Sequence, residues 1–175
     1  MSTIHPCPLP EGSLLSRYRL HGAYTDCYST EVASRLRLAE FVAAFYTTRL
    51  FKVERQILRW TVSRPSTDAD AARLAQGEVD AFAAWSVEDR SGDQLLLCDL
   101  HGRTRSWLMV APSESGNGTR LYFGSAVVPA RKETAPEHAD IGAGFRLLLG
   151  FHKLYSKALL KAAVANLHER KPDLA

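Results

Sequence analysis

The order of apolar and polar positions changes period along this chain, and each change marks an element. Over residues 141–169, Leu148, Phe151, Tyr155, Leu159 and Ala162 recur on one face of a helix that turns about 100° per residue, and Arg146, Lys153, Lys157, Lys161 and His168 recur on the other. A helix of that length needs a broad apolar partner, and the chain supplies one just upstream. Between Val79 and Val128 the period shortens to that of strands: 82–89, 94–100, 103–111 and 119–128 read as four. A turn at 90–93, a tip at His101-Gly102 and a polar loop over 113–118 separate them. Short turns between successive strands make an antiparallel meander. Pro129 ends it, and a charged linker over 131–140 leads into the long helix.

Earlier in the chain, residues 24–32 are rich in aromatic and β-branched side chains and predict a first strand. Leu38, Phe41, Val42 and Phe45 return to helical spacing, so 38–47 is a short amphipathic helix that Thr47-Thr48 breaks. Leu50, Val53, Ile57 and Leu58 predict a second helix, with Lys52, Arg55 and Arg59 on its other side. Arg64-Pro65 stops regular structure. Thr67 or Asp68 caps a third helix over 69–76, and Gly77 closes it in the left-handed conformation. That helix has little apolar bulk beyond Leu74 and is expected at the surface.

Helices gathered on one side of an antiparallel sheet make an α+β protein. The order strand, helices, meander, long terminal helix resembles the helix-grip fold of the START-like and pollen-allergen-like superfamily (SRPBCC), in which a curved sheet grips a C-terminal helix. The wording of Gly22-Ala-Tyr-Thr-Asp-Cys-Tyr, Phe45-Tyr-Thr-Thr and Gly102-Arg-Thr-Arg-Ser-Trp-Leu-Met-Val also resembles an uncharacterised bacterial family, a domain of unknown function. Members of the superfamily often hold apolar ligands between helix and sheet, and some are cyclases or hydrolases. The resemblance therefore implies a binding or carrier module for a small apolar or amphipathic molecule. A cyclase- or hydrolase-like enzyme is the alternative.

Composition adds limits. With 175 residues, 46% apolar and 23% charged, the chain suits one globular domain, burying about two-thirds of its unfolded surface. The expected division is a flexible arm over 1–15, a single domain over 16–170 and a tail over 171–175. No apolar run reaches the ~20 residues that cross a bilayer, so membrane insertion is not expected. The first twelve residues hold three prolines and no export signal, which makes the cytoplasm the expected location. Cys7, Cys27 and Cys98 form no close pair in sequence and are expected as reduced thiols, Cys98 as a small core residue. The net charge of +3 is uneven: residues from 141 onward carry +4 and the remainder −1. The basic stripe of the last helix is expected to be a solvated face, with a weak anionic partner as the alternative. It has no interleaved aromatic residues, so nucleic acid is not the expected partner.

Chemistry is sparse. There is no HExxH, CxxC or Gly-x-Ser-x-Gly, no metal is expected, and no cofactor is implied. His138, beside Glu137 and Asp140, reads as a solvated linker residue, and His152 as a border residue of the last helix. Gly142-Ala143-Gly144 opens that helix without the rest of a dinucleotide fingerprint. Asp99, His101, Arg103 and Arg105 gather at one hairpin tip. A two-residue loop pairs Cys98 with Arg105 and Leu96 with Trp107, placing Arg105 and Trp107 on the face of Leu96 and needing a carboxylate for the arginine. A three-residue loop turns Arg103, Arg105 and Trp107 outward with Asp99. Exposed arginine being the common case, the outward arrangement is the expected one. The candidate ligand-binding residues are Trp85, Arg105, Trp107, Tyr122, Phe151 and Tyr155. In the enzyme alternative Arg105 stabilises an anion, with Tyr155 or His101 as proton donor.

Overall fold

The computed structural model of the chain describes residues 3–53, 66–128 and 141–170, with backbone alone over 141–153. The short strand β1 (His5–Pro6) and the single-turn helix α1 (Ser16–Leu20) precede the long strand β2 (Tyr24–Val32). Helix α2 (Leu38–Tyr46) follows, residues 49–53 are again helical, and α3 (Asp68–Gln76) comes next. Five strands then run in sequence: β3 (Ala81–Phe82), β4 (Trp85–Arg90), β5 (Gln94–Asp99), β6 (Thr104–Pro112) and β7 (Thr119–Val127). Helix α4 (Ile141–Arg170) closes the described chain. The second half of the helix expected after Thr48, and the linker over 131–140, lie outside the described residues.

All seven strands form one antiparallel sheet in the order β1-β2-β7-β6-β5-β4-β3. The meander runs from β3 to β7, and β2 closes onto β7, the last strand made, from Tyr24↔Val127 to Val32↔Thr119. Both intervening helices and α4 lie on one side. This is the α+β helix-grip architecture expected from the order of elements.

On the helix-facing side, Tyr28, Leu95, Leu97, Leu108, Leu121 and Phe123 meet Phe41, Phe45 and Tyr46 of α2. Aromatic rings fill the centre: Phe45 and Phe123 have centroids 4.7 Å apart, Tyr46 and Phe51 4.9 Å, and Tyr46 and Phe82 5.5 Å. Helix α3 is capped as expected, Thr67 Oγ1 accepting from Asp70 N and Thr67 N donating to the Asp70 carboxylate. Gly77 ends it at φ 78°, where a side chain would be strained. The helix is not a surface element, however. Ala71 and Leu74 are fully buried, because alanines let α3 approach α2 closely and leave Leu74 to fill the seam.

The opposite side of the sheet is also covered. Cys27, Gly124, Trp107 and Leu96 are neighbours in one row across β2, β7, β6 and β5. Residues 7–15, part of the segment expected as a flexible arm, lie against this side. Leu15 is fully buried with Leu96 and Trp107, and Cys7, Leu9, Leu14 and Tyr18 pack around them. Gly124 makes the fit, since a Cβ there would meet Leu15 Cδ2 and Trp107 Cε3 at 3.0 Å. Gln94 then fastens the layers. Its Oε1 accepts from Leu14 N and Trp107 Nε1, both at 2.9 Å, and its Nε2 donates to Gly12 O.

Two further expectations shift. The strand over 82–89 breaks after Phe82, where Ala83 takes φ 53°, and β4 starts at Trp85. The buried face of α4 comprises Ser156, Leu159, Leu160, Ala163, Val164 and Leu167, with Tyr155 half-buried and Leu154 exposed. Over these described side chains the face centres on Leu160 and Ala163, with Leu159 of the expected face within it and Tyr155 at its edge. The helix packs against α2, where Asn166 Nδ2 donates to Ala44 O at 2.8 Å.

Candidate functional site

The helix-facing side of the sheet alternates between apolar and polar rows. Tyr28, Phe123, Leu108 and Leu95 are cross-strand neighbours in the apolar row beneath α2. Two residues along the strands, Asp26, Ser125 and Ser106 are neighbours in the same way, and beyond them come Tyr24, Val127 and Thr104. Strand pleating sends all of these side chains to the side of the helices. Trp85 and Val87 on β4 pack on the same side.

Hydrogen bonds tie the polar row together. Asp26 Oδ1 accepts from Ser125 N at 3.0 Å and from Ser125 Oγ at 2.5 Å. The hydroxyls of Ser106 and Tyr46 are 3.1 Å apart, which joins α2 to the row. Burial, then the Asp26 carboxylate and the Tyr24 phenol, push Tyr28 up to about 12. Tyr24 is raised by burial and by Asp26 in the same sense. Two phenols therefore stay protonated beside one carboxylate. Within the interface of sheet and helices, Tyr24 Oη, Thr30 Oγ1, Ser156 Oγ and Trp85 Nε1 are buried and have no hydrogen-bond partner among the described residues. An unsatisfied buried polar group costs ~1–3 kcal/mol, so four of them in one interface call for a polar partner.

The sequence-based candidates divide between the two sides. Trp85 and Tyr155 pack against the helix-side core. Arg105, Trp107 and Tyr122 lie on the opposite side, under the N-terminal segment, and the Phe151 side chain is outside the described residues. The hairpin has the register of the two-residue loop, with Cys98↔Arg105 and Leu96↔Trp107. The expected outward exposure of Arg105 and Trp107 is therefore corrected. Trp107 is fully buried, and Arg105 finds its carboxylate in Glu88 at 2.7 Å. A bulge between Val87 and Asp89 brings this about. It lets Glu88 reach Arg105 and Tyr18 while Asp89 reaches Arg17, and returns Arg90 to the helix side, where it donates to Leu74 O. The Arg105 guanidinium also lies 4.7 Å from the Tyr18 ring centroid. These contacts bind the N-terminal segment down. They leave Arg105 ion-paired on the far side of the sheet from Tyr155, and His101 is exposed at the hairpin tip. The pairing of Arg105 with Tyr155 in the enzyme alternative is not assembled.

Asp99 is a turn residue, its Oδ1 accepting from Arg103 N and Thr104 N. Cys98 is half-buried beside Asp99 and not in the core. On α4, Lys157 and Lys161 are exposed, and Lys157 Nζ lies 5.5 Å from the Tyr28 ring centroid. No group of three or more His, Cys, Asp or Glu able to hold a metal ion occurs among the described residues. Among them, no helix is long and apolar enough to cross a membrane.

Sequence reading missed the Asp26–Ser125–Ser106–Tyr46 row. The signal was present as Tyr24, Asp26, Tyr28 and Thr30 at a spacing of two, all on one face of the first strand. Reading it as a site required the pairing of β2 with β7, made across about a hundred residues of chain.

No family model matches the chain, and no curated protein matches it. Among solved structures it is similar to CalU16 from Micromonospora echinospora, over 96% of this chain and 98% of that one, with 13% identity and a TM-score of 0.31. A likeness at that level transfers no ligand and no activity.

Proposed function

We propose that this chain is a START-like helix-grip protein that binds a small amphipathic molecule on the helix-facing side of its sheet. The polar part of the ligand exchanges hydrogen bonds with the Tyr24 hydroxyl and the Trp85 indole N–H, beside Asp26. Its apolar part lies against Val87, Trp85 and Tyr155. The observation that carries this reading is a hydrogen-bonded polar row in an otherwise aromatic interface, together with the polar atoms of Tyr24, Thr30, Trp85 and Ser156, which have no hydrogen-bond partner among the described residues. A neutral ligand with hydroxyl donors suits it better than an anion, because the Asp26 carboxylate of the row is flanked along β2 by two phenols held protonated. Small-molecule sites usually combine mostly apolar side chains with a few converging polar groups, the mixture of residue types found on this side of the sheet.

Native mass spectrometry of the freshly purified protein tests this. The expected result is a species heavier than the polypeptide by the mass of a small organic molecule, lost on denaturation and depleted in Tyr24→Phe. Bare polypeptide mass alone, with no rise in Tm on adding decanol or hexylresorcinol, would count against the proposal.

A further inference from the structure

The cysteines, scattered in sequence, are not scattered in space. Strand β1 pairs His5 with Ser29 and Pro6 with Tyr28 on β2. The ladder continues one residue further, Cys7 N donating to Cys27 O at 3.0 Å, so the two cysteines face each other across the strands. Their sulfurs are 3.2 Å apart. A disulfide bond is about 2.05 Å long, so closing it asks for a movement of about 1 Å, within reach of small side-chain rotations. All three cysteines are free thiols, as expected, but the strand pairing brings together two that are distant in sequence.

We propose that Cys7 and Cys27 form a modification site, which peroxides convert to an intramolecular disulfide that staples the N-terminal segment to the sheet. Cys7 is half-exposed and Cys27 is buried, which assigns their roles. Cys7 is itself partly open to solvent, and an open groove of about 570 Å³, lined by His5, Ser29, Glu31, Glu114 and Arg120, begins one residue pair further along β1 and β2. The hydrogen bond with Cys27 holds the Cys7 thiol below the ordinary range, against the effect of burial, with Ser29 and the Arg120 charge helping. The same contact and burial push Cys27 up. Cys7 is thus the attacking thiolate and Cys27 the resolving thiol.

The chemistry balances. The Cys7 thiolate attacks one oxygen of hydrogen peroxide and the O–O bond breaks; the departing hydroxide takes up a proton and leaves as water, giving a sulfenic acid on Cys7. The Cys27 sulfur then attacks the Cys7 sulfur, and the hydroxyl leaves as a second water with the Cys27 proton. Two thiols and one peroxide become one disulfide and two waters, the two electrons passing from sulfur to oxygen. Cys98 takes no part: it lies beside Arg105 on β5, and its thiol donates to Asp99 O at 3.3 Å.

The bond would tie down the segment that covers Trp107 and Tyr122 with Leu9, Leu14, Leu15 and Tyr18. The test is oxidation of the full chain with equimolar hydrogen peroxide, followed by alkylation in denaturant and non-reducing peptide mapping. The expected product is a peptide linking Cys7 to Cys27, with Cys98 still alkylated, reversed by dithiothreitol. The oxidised chain should melt about 5–10 °C above the reduced one, because the closed loop restricts the unfolded chain. Cys7→Ser, a change at a half-exposed position that leaves Cys27 in place, should abolish both effects. Sulfinic acid on Cys7 with Cys27 still free, a bond involving Cys98, dimers linked between chains, or an unchanged Tm would each overturn the proposal.

Discussion

At the scale of single residues, the same side-chain type plays opposite parts on the two sides of the sheet. Arg105 and Trp107 attracted notice in the sequence as polar and aromatic neighbours, and both prove to be fasteners. Trp107 is satisfied by Gln94, and Arg105 by Glu88 and Tyr18. Asp26, Ser125 and Ser106 attracted none, since a carboxylate and two serines in strand-like runs are unremarkable until the pairing aligns them. Tyr28, in the adjacent row, gives this side of the sheet a signature in pH. Its folded value is raised to about 12 from an ordinary value of about 10, so the unfolded chain loses that proton first. The stability Tyr28 contributes is therefore complete below about pH 10 and is lost as pH rises toward about 12. In urea titrations across that window, the midpoint of the wild-type chain should fall more steeply than that of Tyr28→Phe. Parallel slopes would mean that Tyr28 is not held protonated by the fold.

At the scale of elements, helices and strands were legible from period and punctuation. Leu38, Phe41, Val42 and Phe45 marked α2, Thr67 and Gly77 marked the ends of α3, and Gly92 and Gly102 marked hairpin tips. Orientation was less legible. On α4 the apolar residues spread widely enough to support two faces, and packing against α2 and the sheet buries the one that carries Leu160, Ala163 and Leu167. Small residues carry no weight in a hydrophobic pattern, so the pattern leaned toward Phe151 and Tyr155. The prediction follows directly. Leu160→Ala, at a fully buried position, should cost about 2–5 kcal/mol, whereas Leu154→Ala, 70% exposed, should change stability by less than about 0.5 kcal/mol. Chemical denaturation of the two variants checks it, and equal losses would put the buried face elsewhere. The bulge at Glu88 was beyond sequence reading as well, because its evidence is the pair of partners, Arg105 and Arg17, that it serves.

At the scale of the molecule, the order of elements carried the fold. A strand, then helices, then a meander leaves the first strand to pair with the last, and β2 does pair with β7 along nine residues. The second layer on the far side of the sheet was not legible, because Leu9, Leu14 and Leu15 stand among prolines and polar residues with no period of their own. The protein thus has two covered faces of different character. The outer one is closed by Gln94, Arg105 and the Cys7–Cys27 pair, and the inner one keeps unanswered polar atoms among aromatic rings. The central claim is that a small amphipathic molecule binds on that inner face. The most direct measurement is a two-dimensional amide NMR titration with hexylresorcinol. The account predicts saturable shifts concentrated at Tyr24, Asp26, Trp85, Ser106 and Ser125, absent at Gln94 and Leu96, and weakened in Tyr24→Phe. Shifts confined to the outer face around Trp107, or no saturable shifts at all, would contradict it.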